Sequence, residues 1–373
     1  VVCNEIMFDP DPPVRLPEEE FLEVYNRSDY PLDLDNWKLE VGTRSYFLGE
    51  LIQKGSDTIG SSFELAPRGY QVLKGMALPN DGTVLALYNE YGHLVHGVSY
   101  SKPWDAPDWK KEGGWALESP DPDQVCLISR NWTYAEDPRG GTPGAKNSTD
   151  APVRDRETPR LLYWGYGGKR ELILHFSEPV RLTGLVREDF KLNPGGHMPV
   201  EVSLCLPLAE QVLLRFEEDL EERQTYTMDV PALSDCQGNL SRKEILQGGK
   251  PRLPAYGDLF VNEIMYFPLD GNPEFVELYN PGPGYYDLQD LAIQVSDPGE
   301  VPDGLYPLST DSRIFCPGQY LVLSSGSDWL KQAYGLVSSG SWVEVEHMPV
   351  LKNAGGNVYL CDRSGARVDL AVY

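Results

Sequence analysis

The sequence predicts an all-β protein laid out as three tandem β-sandwiches. Three observations predict it. A phrase near the start, Asn4-Glu5-Ile6-Met7, returns as Asn262-Glu263-Ile264-Met265, and further blocks follow each copy in the same order. Apolar and polar residues alternate in short runs of strand length. Glycine (36) and proline (31) are both frequent in the 373 residues, which suits short strands joined by turns and suits long helices poorly.

The repeated blocks justify the strands one by one. The first is "NEIM" itself. The second, "EFLEVYN" (20–26), is answered by "EFVELYN" (274–280); in the first copy Phe21, Glu23 and Tyr25 share one face and Leu22 and Val24 the other. "LDLDNWKLE" (32–40) is answered by "YDLQDLAIQ" (286–294). "LAPRGYQVL" (65–73) is answered by "FCPGQYLVL" (315–323), each with Pro and Gly just ahead of an apolar strand. Finally, "VLALYNEYGHLVHGVSY" (84–100) and "NVYLCDRSGARVDLAVY" (357–373) read as β-hairpins, with Gly92 and Gly365 available for positive φ.

A different pattern occupies the middle. Alternating runs at 169–180, 199–207, 210–220 and 225–240 predict a separate sandwich over residues 157–246. The polar, Pro- and Gly-rich stretches around it read as a linker or an extended edge at 149–156 and a linker at 247–256. The repeats then occupy 1–148 and 257–373. Only "SDWLKQAYG" (327–335) suggests a helical turn or two. The first copy continues from Tyr100 to residue 148, whereas the second reaches its equivalent point at Tyr373. The second sandwich is therefore expected to be incomplete at its C-terminus, with an unpaired edge.

Charge and composition exclude some functions. The formal net charge is −25, from 32 Lys+Arg against 57 Asp+Glu. Such a field repels phosphate backbones, so nucleic acid is not an expected partner. No apolar run approaches 18 residues, so membrane insertion by a helix is not expected. The chain opens inside a strand-like pattern and reads as a mature or excerpted segment. The six cysteines lack a C-x-x-C pair, which argues against zinc; their disulfide pairing does not follow from spacing.

The repeated acids Glu5, Glu23, Glu263 and Glu277, with Asn4 and Asn262, form the structural signature of the repeat. Paired carboxylates on neighbouring strands suit acid–base chemistry or half a cation site. Duplication favours a plainer role: accepting hydrogen bonds that fix a sandwich corner. Asp9, Asp11, Asp121 and Asp123 lie on Pro-rich loops and are candidate calcium ligands, although neither loop matches the twelve-residue calcium motif. No other cofactor is expected. Trp104 and Trp109, in the loop-like stretch 100–115, are candidate contacts for a sugar ring or a protein partner. His93 and His96, three apart, face opposite ways on a strand and suit joint ligation poorly. No catalytic motif is present, and no residue is assigned a catalytic or metal role. N-glycosylation sequons occur at Asn26, Asn131, Asn147 and Asn239, and "DTI" (57–59) fits a short O-glycosylation pattern.

Taken together, "NEIM", "EFVELYN", the Pro-Gly strand start and the Gly hairpin resemble the lamin tail domain, an immunoglobulin-like β-sandwich. "GGWALE" and "RNW…GGTPGAKNS" (113–148) resemble the closing segment common in bacterial members. The middle stretch is similar to bacterial Ig-like domains of surface and S-layer proteins. The resemblance implies a non-catalytic, exported protein of the Bacteroidota type, periplasmic, on the outer-membrane surface or secreted. It would act as scaffold, adhesion or protein–protein interaction module, in some cases linked to type IX secretion. Its partners would be other proteins of the cell envelope or surface, or a glycan. Two alternatives stand beside it: accessory domains of a larger extracellular enzyme of nuclease or phosphatase type, and a carbohydrate-binding module.

Overall fold

The computed structural model describes residues 1–54, 63–102, 106–127, 131–269, 272–327, 330, 341–345 and 347–373, apart from the side chains of Asp108 and Asp303. It is all-β, and the chain divides into two compact units. Among the described residues, no helix is long and apolar enough to cross a membrane.

Unit 1 comprises Val1–Glu157 with two short inserts, Cys205–Ala209 and Asp235–Asn239. Its strands are β1 (Val2–Met7), β2 (Phe21–Tyr25), β3 (Leu32–Asp33), β4 (Lys38–Val41), β5 (Arg44–Phe47), β6 (Glu64–Leu65), β7 (Tyr70–Lys74), β8 (Thr83–Tyr88), β9 (Leu94–Tyr100), β10 (Leu117–Glu118) and β11 (Thr133–Tyr134). One sheet runs β11-β10-β1-β2-β7 and the other β5-β4-β8-β9, with β3 and β6 forming a short pair. Ile6, Leu22 and Leu117 from the first sheet meet Leu39, Leu85 and Val98 from the second in one core. The expected β8–β9 hairpin forms, with Gly92 at φ +75° and the Asn89 carboxamide accepting from the Tyr91 and His93 backbone N–H groups.

Two short helices were not foreseen, α1 (Leu48–Lys54) and α2 (Asp108–Lys111). In α1, Leu48, Leu51 and Ile52 recur at helical spacing and are buried, which supplies the burial that so short a helix needs. The candidate helix at 327–335 lies largely outside the described residues. A disulfide joins Cys126 to Cys236, which fastens the Asp235–Asn239 insert into this unit. At a sequence separation of 110, no local spacing could announce the pair.

The stretch at 149–156, expected as a linker or an extended edge, is anchored at its start. The Thr149 N–H and hydroxyl donate to Glu118, Ala151 N–H to the Pro120 carbonyl and Val153 N–H to Asp121. Its polar groups are fixed by donors and acceptors of the sheet rim.

Unit 2 comprises Thr158–Leu204, Glu210–Ser234 and Leu240–Tyr373. Its first part carries β12 (Leu161–Gly168), β13 (Glu171–Phe176), β14 (Lys191–Asn193), β15 (Glu201–Cys205), β16 (Gln211–Arg215), β17 (Thr225–Val230) and β18 (Glu244–Gly249). The sheets β12-β13-β16-β15 and β14-β17-β18 enclose Trp164, Leu174, Phe190, Leu214 and Met228. Its second part carries β19 (Phe260–Met265), β20 (Phe275–Tyr279), β21 (Tyr286–Asp287), β22 (Leu291–Ser296), β23 (Asp303–Pro307), β24 (Ile314–Phe315), β25 (Tyr320–Ser324), β26 (Trp342–Glu344), β27 (Asn357–Asp362) and β28 (Arg367–Val372). These form β19-β20-β25-β26, β23-β22-β27-β28 and the pair β21-β24, with Val276, Leu278, Ile293, Leu323 and Leu360 in the core. Gly365 holds φ +84° in the β27–β28 turn, as expected.

The linker expected at 247–256 starts inside a strand. Gln247, Gly248 and Gly249 are the last residues of β18 and pair with Thr227, Tyr226 and Thr225. The two glycines suggest flexibility in sequence, but close approach requires them. A Cβ on Gly248 would lie 1.9 Å from the Trp164 ring, and one on Gly249 2.4 Å from the Tyr285 ring. Tyr285 and Ile314 complete the core of the first part, and the Tyr166 N–H donates to Ser312 Oγ at 2.7 Å.

Gly248→Ala is therefore expected to destabilise unit 2 by about 1–3 kcal/mol through overpacking against Trp164. Urea unfolding followed by tryptophan fluorescence checks this; an unchanged midpoint would contradict the packing described.

Candidate functional site

The repeated acids locate the most unusual chemistry of unit 1. Strand β1 pairs with β2 on one side and β10 on the other, setting Glu5 opposite both Glu23 and Glu118. All three carboxylates are fully buried. Their face of the sheet is covered by residues 140–149 and carries a small apolar cluster of Met7, Phe21 and Ala116. Buried carboxylates must find donors, and the covering segment supplies them. Thr142 donates its N–H to Glu5 at 2.8 Å and its hydroxyl to Glu118 at 2.8 Å. The Gly144 N–H donates to Glu23. Ser148 Oγ and Thr149 N donate to Glu118 at 2.8 and 2.9 Å. Asn4 Nδ2 reaches both Glu23 (2.9 Å) and Asn147 Oδ1 (2.8 Å), and Asn147 Nδ2 returns to the Asn4 carbonyl (3.0 Å). Gly141 must be glycine, because a Cβ there would sit 2.3 Å from Glu5 Oε1.

Burial raises two of these acids. Glu5 is pushed up to about 8, by loss of solvent and, more weakly, by the charges of Glu23 and Glu118, against the pull of the Thr142 N–H. Glu23 is pushed up to about 7, again by burial first, with the Gly144 N–H and Asn4 opposing. The cluster thus retains a proton near neutrality. Its geometry closes the sandwich, with the carboxylates engaged by the chain's own donors.

The second copy repeats the acceptors and their local geometry. Asn262 Nδ2 donates to Glu277 Oε1 at 2.7 Å, as Asn4 does to Glu23, and the β19–β20 register repeats that of β1–β2 down to the irregularity after the second residue. The Cys3 N–H donates to buried His96 Nδ1, and its counterpart, the Val261 N–H, donates to Asp369. Yet Asn262 and Glu263 are exposed and Glu277 is half-buried. In its sheet β19 is an edge, paired only with β20 among the described residues.

The remaining candidates disperse. Asp9 accepts from Asn80 Nδ2 and Lys102 Nζ, Asp121 from the Asp123 and Val153 N–H groups, and Asp123 from Arg27 Nε. Asp11 is exposed. No three of these four bring carboxylate oxygens within 4.8 Å of one another among the described residues. Trp104 lies outside the described residues. Trp109 is 56% exposed and meets the partly buried Trp115 edge to face at 5.0 Å, with Lys110 Nζ 4.7 Å above the Trp115 ring. Cys3 and His96 line a small cleft with Val98, Leu127 and Trp132. Burial drives the Cys3 thiol up to about 12 and the His96 imidazole down to about 3, so both are neutral; a nucleophilic pair needs the opposite shifts. Three sequon asparagines are buried with their amides in use: Asn26 Nδ2 donates to the Tyr30, Leu65 and Ala66 carbonyls, Asn131 Nδ2 to Ser119 and Asp121, and Asn147 as above. "DTI" lies outside the described residues. Sequence reasoning missed Glu118, Thr142, Ser148 and Thr149 as partners of the repeated acids. The available signal was "GGTPGAKNST", a donor-rich stretch following an acid-rich repeat.

The cluster has a pH signature. The folded protein keeps protons on Glu5 and Glu23 above the ordinary glutamate value of 4.5, so stability is full below that value and is lost as pH rises toward about 8. Neutral, buried His96 acts in the opposite sense, but only below its unfolded value of about 6.5. Between about pH 6.5 and 8.5 the wild type is expected to lose on the order of 2 kcal/mol, and Glu5→Gln to lose clearly less. Thermal unfolding of both proteins across that range checks this; parallel curves would contradict it.

Comparison with known proteins comes last. No curated protein matches the chain. Among solved structures, the S-layer protein rSbsC(31–844) aligns at 11% identity and a TM-score of 0.24, over 58% of this chain and 40% of that one. SGBP-B of the Bacteroides ovatus mixed-linkage glucan utilization locus, in complex with a mixed-linkage heptasaccharide, aligns at 10% identity and a TM-score of 0.21, over 93% and 59%. The BSP domain of a biofilm associated protein aligns at 12% identity and a TM-score of 0.20, over 100% and 66%. The chain thus spans less than two thirds of the first two, and alignments this loose bear on neither fold nor function. The family comparison is specific: residues 253–373, which hold the second copy of the repeat, match the Lamin Tail Domain.

Proposed function

We propose that this chain is a non-catalytic array of β-sandwich modules from an exported bacterial protein of the Bacteroidota type. In this reading it serves as scaffold or protein-interaction segment at the cell surface or in the periplasm, as a passenger of type IX secretion. One observation carries the non-catalytic part. The polar chemistry that the chain writes twice is, in the first copy, buried and engaged by Thr142, Gly144, Ser148 and Thr149. A general base or metal ligand needs a lone pair facing substrate or ion; these acids offer theirs to their own backbone. The lamin tail match at 253–373 and the motif resemblance of the first copy support a modular, repeated role.

A glycan-binding reading has one specific observation in its favour. Trp109 and Trp115 meet edge to face, and Trp109 presents an exposed ring beside Lys110. Exposed indoles of this kind stack on sugar rings.

Both readings are testable together. The purified chain is expected to show no turnover of nuclease or phosphatase substrates, with or without divalent cations; turnover lost in Glu5→Gln would overturn the leading reading. In calorimetric titration with soluble cell-wall and plant glycans, binding weakened at least tenfold by Trp109→Ala would establish the glycan reading, and its absence would remove it.

A further inference from the structure

We infer that His175 makes the seam between the two parts of unit 2 an acid-sensitive joint, closed while its imidazole is neutral and released when the imidazole takes a proton. The strand explains the placement. In β13, Leu172, Leu174 and Phe176 enter the core of the first part, so His175 alternates to the opposite face, opposite Tyr163 of β12 and Gln211 of β16 in register. A histidine on the outer face of a sandwich is ordinarily wet, yet His175 is 5% exposed. Segment 311–313, just ahead of β24, lies against this face. The Tyr166 N–H donates to Ser312 Oγ at 2.7 Å, and a Cβ on Gly165 would lie 2.3 Å from the Ser312 carbonyl oxygen. The same segment is tied into the second part. Ser312 Oγ and the Arg313 N–H both donate to Asp287 of β21, and Arg313 Nη1 donates to the Trp342 carbonyl at 2.6 Å.

The seam holds a stack of side chains from both parts. The His175 ring lies on the Tyr163 ring at 4.4 Å, and the Arg313 guanidinium lies over the same Tyr163 ring at 4.6 Å. Arg313 is itself buried. His175 Nε2 is buried without a hydrogen-bond partner among the described residues. A neutral imidazole is held there by stacking. An imidazolium would carry an unsatisfied charge into the same place, one ring away from a guanidinium that is already there. The neighbouring acids do not offset this: Glu210, just ahead of β16, and Asp311 bear on the Tyr163 hydroxyl, whereas Arg313 is the charge that bears on His175. Burial first, and Arg313 second, push the imidazole down to about 4. Opening the seam returns His175 to water and to its ordinary value of about 6.5. Above that value protons leave closure untouched. As pH falls below it, the open form takes up a proton that the closed form refuses, and closure weakens progressively down to about pH 4.

The joint concerns how two modules hold together and does not rest on what they bind. Amide exchange of the full chain at about pH 7.5 and about pH 5, corrected for the intrinsic effect of pH on exchange, tests it. The opening equilibrium read at the Tyr166 and Arg313 amides is expected to rise about 30-fold on acidification, while the Leu172 and Leu174 amides inside β13 stay unmoved. His175→Phe keeps a ring in the stack and removes the titrating nitrogens, so the rise is expected to vanish. Should that variant fold poorly, His175→Gln is expected to abolish the rise equally. In NMR spectra of the wild type, the His175 ring is expected to titrate well below the ordinary histidine value. An acid rise that persists in both variants, or no rise in the wild type, would overturn the inference. So would a His175 ring titrating at its ordinary value, or acid exposure of Leu172 and Leu174 together with Tyr166, which would mark unfolding of the sandwich in place of a joint.

Discussion

Three carboxylates on adjacent strands of one sheet face, each needing a donor, are the constraint on which the first module depends. A carboxylate buried without partners is costly, and the outer face of β1, β2 and β10 buries three. The donors come from residues more than a hundred positions away from Glu5, so the contact also sets the topology: the chain must return across this face before it leaves the module. The apolar cluster of Met7, Phe21 and Ala116 closes over the same face, and Gly141 is there because no larger residue clears Glu5. Sheet order, loop composition and the buried protons are consequences of one polar network.

Most of the fold was legible in the sequence because strand periodicity and duplication are local signals. The β1–β2 and β8–β9 segments, their counterparts at β19–β20 and β27–β28, and the glycines of both hairpins follow from alternation and turn chemistry alone. Less legible were stretches whose roles depend on distant neighbours. Gly248 and Gly249 have the composition of a tether, and only Trp164 and Tyr285 show why they are glycine. Residues 149–153 are polar because Glu118, Asp121 and the Pro120 carbonyl receive them. Helix α1 was hidden by its length, since seven residues hold one turn of apolar spacing and little else. At the candidate site, the sequence singles out the acids as a signature of the duplication. Their donors are not singled out, because a threonine amide reveals its partner only when the chain has folded back.

The duplicated phrase also separates local from tertiary determinants. Asn-Glu-Ile-Met makes the same strand, the same irregularity and the same Asn-to-Glu hydrogen bond in both places. Burial differs entirely, complete in β1 and slight in β19. Backbone register is thus written in the strand, whereas the exposure of its acids is written by whatever lies across it. The two hairpin strands show the same division: His96 and Asp369 supply different acceptors to equivalent N–H groups, and the strand accommodates either.

The buried asparagines carry a practical consequence for producing the protein. Asn26, Asn131 and Asn147 are sequon residues whose side-chain nitrogens are saturated with carbonyl, hydroxyl and carboxamide partners inside the first module. In a eukaryotic secretory pathway, oligosaccharide is attached to such nitrogens on the nascent chain, before those partners assemble. A glycan at Asn147 would stand between residues 141–149 and the glutamates they must reach. A host without N-glycosylation, or Gln in place of each of these asparagines only at a cost in folding, is therefore built into the choice of expression system.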